Sequence, residues 1–296
     1  MNAPSEFSIL AILWGGSFLL VLRVVEAFDW VGAVSVRALI ASLTLYVLAK
    51  ISKRQLDFSI GAVPFLISGA TTVAFQLIGL SFAVPRIGTA MSAILVGAIP
   101  LYSAMIGRLL HIEKLTRVGY FGLALGFLGI FLLVGFPKGN ASKEYLVGIL
   151  VAVIGCISAA FGSNFSKMKM SSVGVWEQVI GAFFFGGLLT APLLIFVPFQ
   201  RNPMVGDWLN IIALAVLCSS LCYVIYFKLV SEIGATRAIS VEFLVTVVAV
   251  LIGAFYLHEN ISLVQVLGGA LVIIGCILIL DLFGIGRRLP RRVTLR

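Results

Sequence analysis

Long apolar runs alternate along the chain with short gaps that contain charged residues, proline or glycine. A bilayer core of about 30 Å requires roughly 20 apolar residues in helical form, and the runs have this length. Because a backbone in lipid must satisfy its own hydrogen bonds, each run is predicted to be a membrane-spanning α-helix. The ten predicted spans are residues 7–25, 30–49, 61–82, 86–110, 116–135, 145–166, 174–197, 207–230, 235–256 and 262–283.

Composition supports this prediction. Of the 296 residues 61% are hydrophobic and only 11% are charged, and the mean hydropathy is +1.15. These values are typical of integral membrane proteins and not of soluble domains. The first residues lack a basic leader and a cleavage site, so the first run is expected to be a retained span and not a secretory signal.

The positions of the basic residues predict the orientation. If both termini are cytoplasmic, the inner gaps and the tail carry 15 Lys and Arg residues, and the outer gaps carry 5. Cytoplasmic loops normally hold this excess. We therefore expect an all-α integral membrane protein with both termini inside, whose basic surplus faces the bilayer surface and not nucleic acid.

The chain also contains two copies of one unit. At an offset of 146 residues, Gly88 falls on Gly234, Glu113 on Glu259, and Ser17 on Ser163. Each copy contains five spans, and an odd number makes the second copy enter the membrane from the opposite side. The predicted units are residues 1–137, residues 144–283 in inverted orientation, and a basic cytoplasmic tail at 284–296. Inverted repeats are typical of secondary transporters, although a channel can also have them.

These features resemble the drug/metabolite transporter superfamily, in particular its ten-helix branch with two EamA-type repeats. The resemblance rests on Trp14 and Gly15 in the first span, VRALIA around Arg37 in the second, and GGALVIIGCILIL in the tenth. The family usually has glycine before the glutamate that follows the fourth and ninth spans, but Ile112 and His258 stand there.

The resemblance implies ten helices around a central cavity lined by helices 1, 3, 4, 6, 8 and 9, with helices 5 and 10 at the periphery. It also implies small metabolites as substrates, often amino acids moved outward. In overall layout the chain is similar to the YddG-type exporters of aromatic and other amino acids.

Glu242 lies in the otherwise apolar run ISVEFLVTVVAVL, and the 146-residue offset pairs it with Val96. The shared scaffold therefore does not require an acid there. A charged residue within a span is costly, about 2.5 to 3.5 kcal/mol on insertion scales, and usually faces a wet cavity. Three interpretations stay open: a structural pair with Arg237 or another base, a contact for a substrate ammonium, and a proton-coupling carboxylate.

Polar and aromatic side chains on the expected cavity helices are the other candidates for substrate contact, because unpaired polar groups in hydrocarbon need partners or water. Each could instead serve helix packing. With Glu242, the predicted substrate-binding residues are Trp14, Ser17, Gln76, Ser92, Tyr102, Ser163, Asn164, Tyr223 and Tyr226.

Two further features have both structural and functional interpretations. Arg37 lies within the second span and is expected to extend to the outer surface or to pair with Glu26 or Asp29; the alternative is attraction of a substrate carboxylate. Gly122, Gly126 and Gly129 in the fifth span are expected to allow close helix packing.

The function predicted from these observations is secondary transport, with export of aromatic or other neutral amino acids across a bacterial inner membrane. No nucleotide-binding loop, metal-ligand spacing or nucleophile elbow is present, so neither an enzyme nor a cofactor is expected. The expected partners are a small-molecule substrate, the lipid bilayer and a proton if transport is coupled, with the protein a monomer or weak dimer. The alternatives are a passive channel, a transporter of another metabolite or drug, and a membrane enzyme acting through Glu242 and Glu177.

Overall fold

The computed structural model describes residues 3–111, 116–135, 142–233 and 241–279, which form helices joined by short connections. The helices follow the predicted apolar runs, as expected for a backbone that must satisfy its own polar groups. In chain order they are α1 (Ala3–Ile51), α2 (Ala62–Ile87), α3 (Thr89–Leu109), α4 (Arg117–Gly135), α5 (Lys143–Lys169), α6 (Val175–Ile195), α7 (205–233), α8 (Val241–Tyr256) and α9 (Leu263–Ile279).

Helix α1 is interrupted at Asp29, which has φ 58° and ψ 173°. A positive φ with an extended ψ is rarely adopted by residues other than glycine. The Asp29 carboxylate accepts a 2.6 Å hydrogen bond from the amide of Trp30, the first residue of the helix that follows. The element therefore consists of two helices, α1a (3–28) and α1b (30–51), which correspond to the first two predicted spans.

A multi-pass membrane protein is confirmed. Six helices within the described residues are long and apolar enough to cross a bilayer, α1 among them, and three shorter apolar helices accompany them. The number of ten spans and the side of the termini stay predictions. Glu113, Arg237 and the basic tail lie outside the described residues.

Wide π-helical turns occur at matching places in the two halves. One covers Gly69–Phe75 in α2, and another covers Leu214–Leu221 in α7. The 146-residue offset maps the π turn of α7 onto residues 68–75, almost the same residues as the π turn of α2. Single π turns occur often at functional sites, and both of these lie beside the cavity described below.

Helices α4 and α9 pack with their backbones in close contact, which confirms the predicted role of the glycines. A Cβ atom at Gly122 would lie 2.7 Å from the carbonyl oxygen of Gly275, and one at Gly129 would lie 2.6 Å from that of Gly268. Only hydrogen atoms fit in this space. The pair lies mainly outside the cavity, to which only Ile279 at the end of α9 contributes.

Replacing Gly275 by alanine is therefore expected to destabilise the protein by about 1 to 3 kcal/mol, the usual cost of overpacking. Its new methyl group would lie within 3 Å of backbone atoms of α4. The matched control is Gly206→Ala in α7, where a Cβ atom meets nothing within 4 Å. Thermal unfolding of the purified variants in detergent measures the difference, and equal midpoints would contradict the proposed fit.

Candidate functional site

A cavity of about 790 Å³ lies between the helices and has the size of a small-molecule site. Helices α1a, α1b, α2, α3, α5, α6, α7 and α8 all contribute to its wall. The expectation of a central cavity is met, with α1b and α6 as additional walls. Lys167 and Ser171 belong to the lining and are exposed, so the cavity opens at the connection between α5 and α6.

The cavity lies across the two halves of the chain. Many of its lining residues occur as pairs separated by 146 positions, so equivalent positions of both copies face the same space. This arrangement is typical of a site at the interface of two repeats. The pairs are Ser17 with Ser163, Arg37 with Phe183, Leu77 with Tyr223, Leu80 with Tyr226, Val96 with Glu242, and Ile99 with Val245.

The structure brings most of the predicted substrate-binding residues together in this lining. They come from five different helices, and only the fold places them side by side. These residues are Trp14, Ser17, Gln76, Ser163, Tyr223, Tyr226 and Glu242.

Aromatic rings form one wall of the cavity. The centroid of the Trp14 ring lies 5.6 Å from that of Tyr223 and 5.5 Å from that of Tyr226. The indole nitrogen of Trp14 donates a 2.9 Å hydrogen bond to the carbonyl oxygen of Cys218, a residue within the π turn of α7. Because the indole N–H is bonded to α7, the ring has a fixed position and presents a stiff apolar surface to a ligand.

Three predicted residues are not part of the lining. Ser92 donates to the carbonyl oxygen of Gly88 at 2.7 Å, and Tyr102 packs edge-on against Phe127. Asn164 is fully buried, and its amide nitrogen donates to Ser103 and to the carbonyl oxygen of Ala160. These side chains contact other parts of the helix bundle, and the structure does not bring them to the cavity.

Glu242 lies in the first turn of α8 and contributes to the cavity wall. Thr246 donates a 2.9 Å hydrogen bond to the backbone carbonyl of Glu242, a contact within the helix that does not involve the carboxylate. Within the described part of the chain, the carboxylate makes no hydrogen bond or ion pair. The predicted pair with Arg237 concerns a residue outside that part.

Arg37 is a cavity residue, and the expected surface contact is wrong. The side chain is only 5% exposed, and its Nε atom donates a 2.7 Å hydrogen bond to the hydroxyl of Ser219. Glu26 instead lies 3.9 Å from Arg23, and Asp29 accepts from Gln200 at 2.8 Å. A sequence signal was available, since the repeat pairs Arg37 with Phe183 and the scaffold therefore does not need the charge.

Other polar lining residues were not among the sequence candidates. Helices α2, α3, α5 and α6 each place further polar side chains in the cavity wall, which increases the number of hydrogen-bonding groups there. They are Ser68, Thr72, Ser103, Ser166, Lys167 and Gln178. In apolar helices, the sequence pattern around a Ser or Thr that lines a cavity is the same as around one that packs between helices. The sequence therefore does not single out these residues.

At the end of the bundle away from the cavity mouth, a carboxylate joins the two halves. Glu259 follows α8 and accepts hydrogen bonds from the amide and hydroxyl of Thr89, at 2.7 and 2.8 Å, and from the amide of Ala90 at 3.0 Å. These groups begin α3, where free amides and the helix dipole favour an anion. The contact therefore fixes the start of α3 to the segment after α8.

Further contacts close the same end. The Arg201 guanidinium binds Asp207 with two hydrogen bonds, of 2.5 and 2.8 Å, and this bonding raises the pKa of Arg201. Phe28 packs edge-on against Phe199 and Trp208, each with ring centroids 5.1 Å apart. None of these residues belongs to the cavity lining. The exposed lining residues Lys167 and Ser171 thus lie at one end of the bundle, and these contacts pack the other end.

Clusters of three or more His, Cys, Asp or Glu side chains that could hold a metal are absent from the described residues. The four cysteines, Cys156, Cys218, Cys222 and Cys276, are free thiols and buried.

Comparison with known proteins identifies relatives along nearly the whole chain. Residues 7–135 and 146–281 each match the EamA-like transporter family. The uncharacterized transporter YdfC of Bacillus subtilis is 24% identical over 90% of this chain and 87% of its own. The uncharacterized inner membrane transporter YedA of Escherichia coli is 25% identical over 91% of this chain and 88% of its own. A solved crystal structure with 15% identity has the same fold, with a TM-score of 0.67 over 92% of this chain and 94% of the other.

Proposed function

Since the chain belongs to the EamA-like transporter family and is a membrane transporter, not an enzyme, we propose that it exports small metabolites, chiefly neutral amino acids, by alternating access. The energy would come from gradients of the substrate or of a proton. The proposed location is a bacterial inner membrane, the membrane given in the name of the relative YedA.

The observation that carries this proposal is a cavity that lies across both halves, open at one end and closed at the other. A transporter requires such a state and its opposite, which rocking of one repeat against the other would produce. We propose ten spans, with residues 1–137 and 144–283 as inverted repeats. With both termini and the tail at 284–296 in the cytoplasm, the open mouth faces the cytoplasm, where an exporter takes up its cargo.

The cavity wall supports an amino acid as the cargo. Trp14, Tyr223 and Tyr226 offer an aromatic surface, while Ser17, Ser163 and Gln76 offer hydrogen-bonding groups. Small-molecule sites commonly combine a mainly apolar wall with a few polar groups. An aromatic or other neutral amino acid has the corresponding chemistry, with an apolar side chain and a charged backbone part.

Counterflow in proteoliposomes tests the proposal. Purified protein would be reconstituted into vesicles loaded with one unlabelled amino acid, and uptake of trace labelled amino acid would then be followed. A transporter is expected to show saturable, transient accumulation that depends on the internal amino acid. A passive channel shows no counterflow, and exchange of other metabolites with no exchange of amino acids would contradict the proposed cargo.

A further inference from the structure

Arg37 is a buried guanidinium whose terminal nitrogens are unused. Arg37 is only 5% exposed, and it still contributes to the cavity wall. Within the part of the chain that the structure describes, its only hydrogen bond runs from Nε to Ser219, and it forms no ion pair. Neither Nη group donates a hydrogen bond to another described residue, and the side chain belongs to the cavity wall.

The backbone holds this guanidinium in a defined position. Ser219, which accepts from Nε, lies in the π turn of α7 and donates its own hydroxyl proton to the carbonyl oxygen of Leu214 at 3.3 Å. An arginine has a planar fork of donors that fits a carboxylate with two parallel hydrogen bonds. With Nε fixed to α7, the Nη groups remain for a ligand.

Arg37 and Glu242 lie in the same cavity but do not pair with each other. Ser219, Tyr223 and Tyr226 follow one face of α7, and the rise from Ser219 to Tyr226 is roughly 10 Å at 1.5 Å per residue. Arg37 is hydrogen-bonded to Ser219, the first of these three residues. Tyr223 is close enough to interact electrostatically with both Arg37 and Glu242, and Tyr226 interacts with Glu242. The two charges therefore line one cavity without forming an ion pair, and Tyr223 and Tyr226 line it with them.

Repeat symmetry shows that neither charge is part of the shared scaffold. Arg37 corresponds to Phe183 and Glu242 to Val96, and both of these apolar counterparts also line the cavity. Each half thus carries one charge, of opposite sign, at a position where the other half has an apolar residue. Buried charges are costly without a partner, and a ligand in the cavity that carries the opposite charges would provide one for each.

We propose that Arg37 binds the carboxylate of a zwitterionic cargo, while Glu242 faces its ammonium group. This inference rests on the proposed function and specifies its substrate class. A purely cationic compound would meet the positive charge of Arg37, and a purely anionic one would meet the carboxylate of Glu242. A compound with both charges satisfies both groups at once.

The test is a binding cycle with three related compounds: phenylalanine, phenethylamine, which lacks the carboxylate, and 3-phenylpropionate, which lacks the ammonium group. Competition in the counterflow assay would give the apparent affinity of each for the wild type and for Arg37→Gln. Arg23→Gln, a charge change on the surface, is the control variant.

For Arg37→Gln, the affinity for phenylalanine is expected to fall on the order of 30-fold, as when one partner of a desolvated charge pair is removed. The affinity for phenethylamine should rise, because this cation has no carboxylate to lose and no longer meets the positive charge of Arg37. Arg37→Lys keeps the charge without the fork and should show the same pattern with a smaller factor, which also provides a measurement if the Gln variant does not fold.

Equal losses for all three compounds, or no loss for any, would overturn the assignment of Arg37 and leave amino acid transport intact. If the wild type exchanges no amino acid at all, the proposed function fails together with this inference. The wild-type measurement alone therefore separates the two failures.

Discussion

Glu242→Gln is expected to weaken amino acid exchange on the order of 30-fold at neutral pH, because the variant removes the acid that lines the cavity. Among the described residues the carboxylate makes no hydrogen bond or ion pair, and the ammonium group of a cargo in the cavity would supply its counter-charge. Lowering the pH on the side of the cavity mouth protonates a carboxylate and removes its attraction for an ammonium group. Wild-type exchange should therefore fall as the pH falls, and exchange by the variant should not change.

Counterflow at a series of pH values measures both effects, with Glu26→Gln as the control. Glu26 is also an acid near a membrane span, but its side chain is 55% exposed and lies beside Arg23. If the variant keeps its affinity but loses its response to a pH gradient, Glu242 is a proton-coupling group and not an ammonium contact. If neither changes, the carboxylate has a structural role.

The helices follow from the sequence because lipid leaves the backbone few choices. Apolar runs of about 20 residues must be helical, and gaps with Lys, Arg, Gly or Pro must lie at the ends. The details inside the helices do not follow in this way. The π turns at Gly69–Phe75 and Leu214–Leu221 have no marker in composition, and the short gap between the first two runs does not indicate the positive φ at Asp29.

The site could be predicted where a residue departs from the rules of the membrane. Glu242 and Trp14 stand out because an acid and a large ring within small or apolar neighbours require an explanation, and both line the cavity. Tyr102 and Asn164 had the same appearance but face other helices. In a span that is apolar on all sides, the sequence has no polar face to indicate which direction a side chain takes.

Arg37 was expected at the membrane surface but lies in the cavity wall. Long basic side chains near the end of a span usually extend to the surface, and this general tendency favoured a contact with Glu26 or Asp29. The bend at Asp29 instead brings α1b back along α1a, and the π turn of α7 offers Ser219 as an acceptor inside the bundle. Only the tertiary arrangement decides between these two directions.

Glu259→Gln is expected to loosen the closed end of the bundle. The carboxylate accepts three hydrogen bonds from Thr89 and Ala90, across 169 or more positions of the chain, and its charge complements the start of α3. Hydrogen bonds to a charged group contribute about 1.5 to 3 kcal/mol each, so even one lost bond would raise the population open at this end by roughly tenfold or more.

A cysteine at Leu80, which lies in the cavity wall, reports this opening. The rate of its reaction with a membrane-impermeant thiol reagent, added from the closed side, should rise about tenfold in the Glu259→Gln background. The four native cysteines are buried, and protein without the added cysteine gives their background. Asp207→Asn is the matched control, because Asp207 also accepts three hydrogen bonds at this end, but from the neighbouring Arg201 and Met204. Equal reaction rates in the two backgrounds would mean that Glu259 stabilises its own helix ends and does not hold the two halves together.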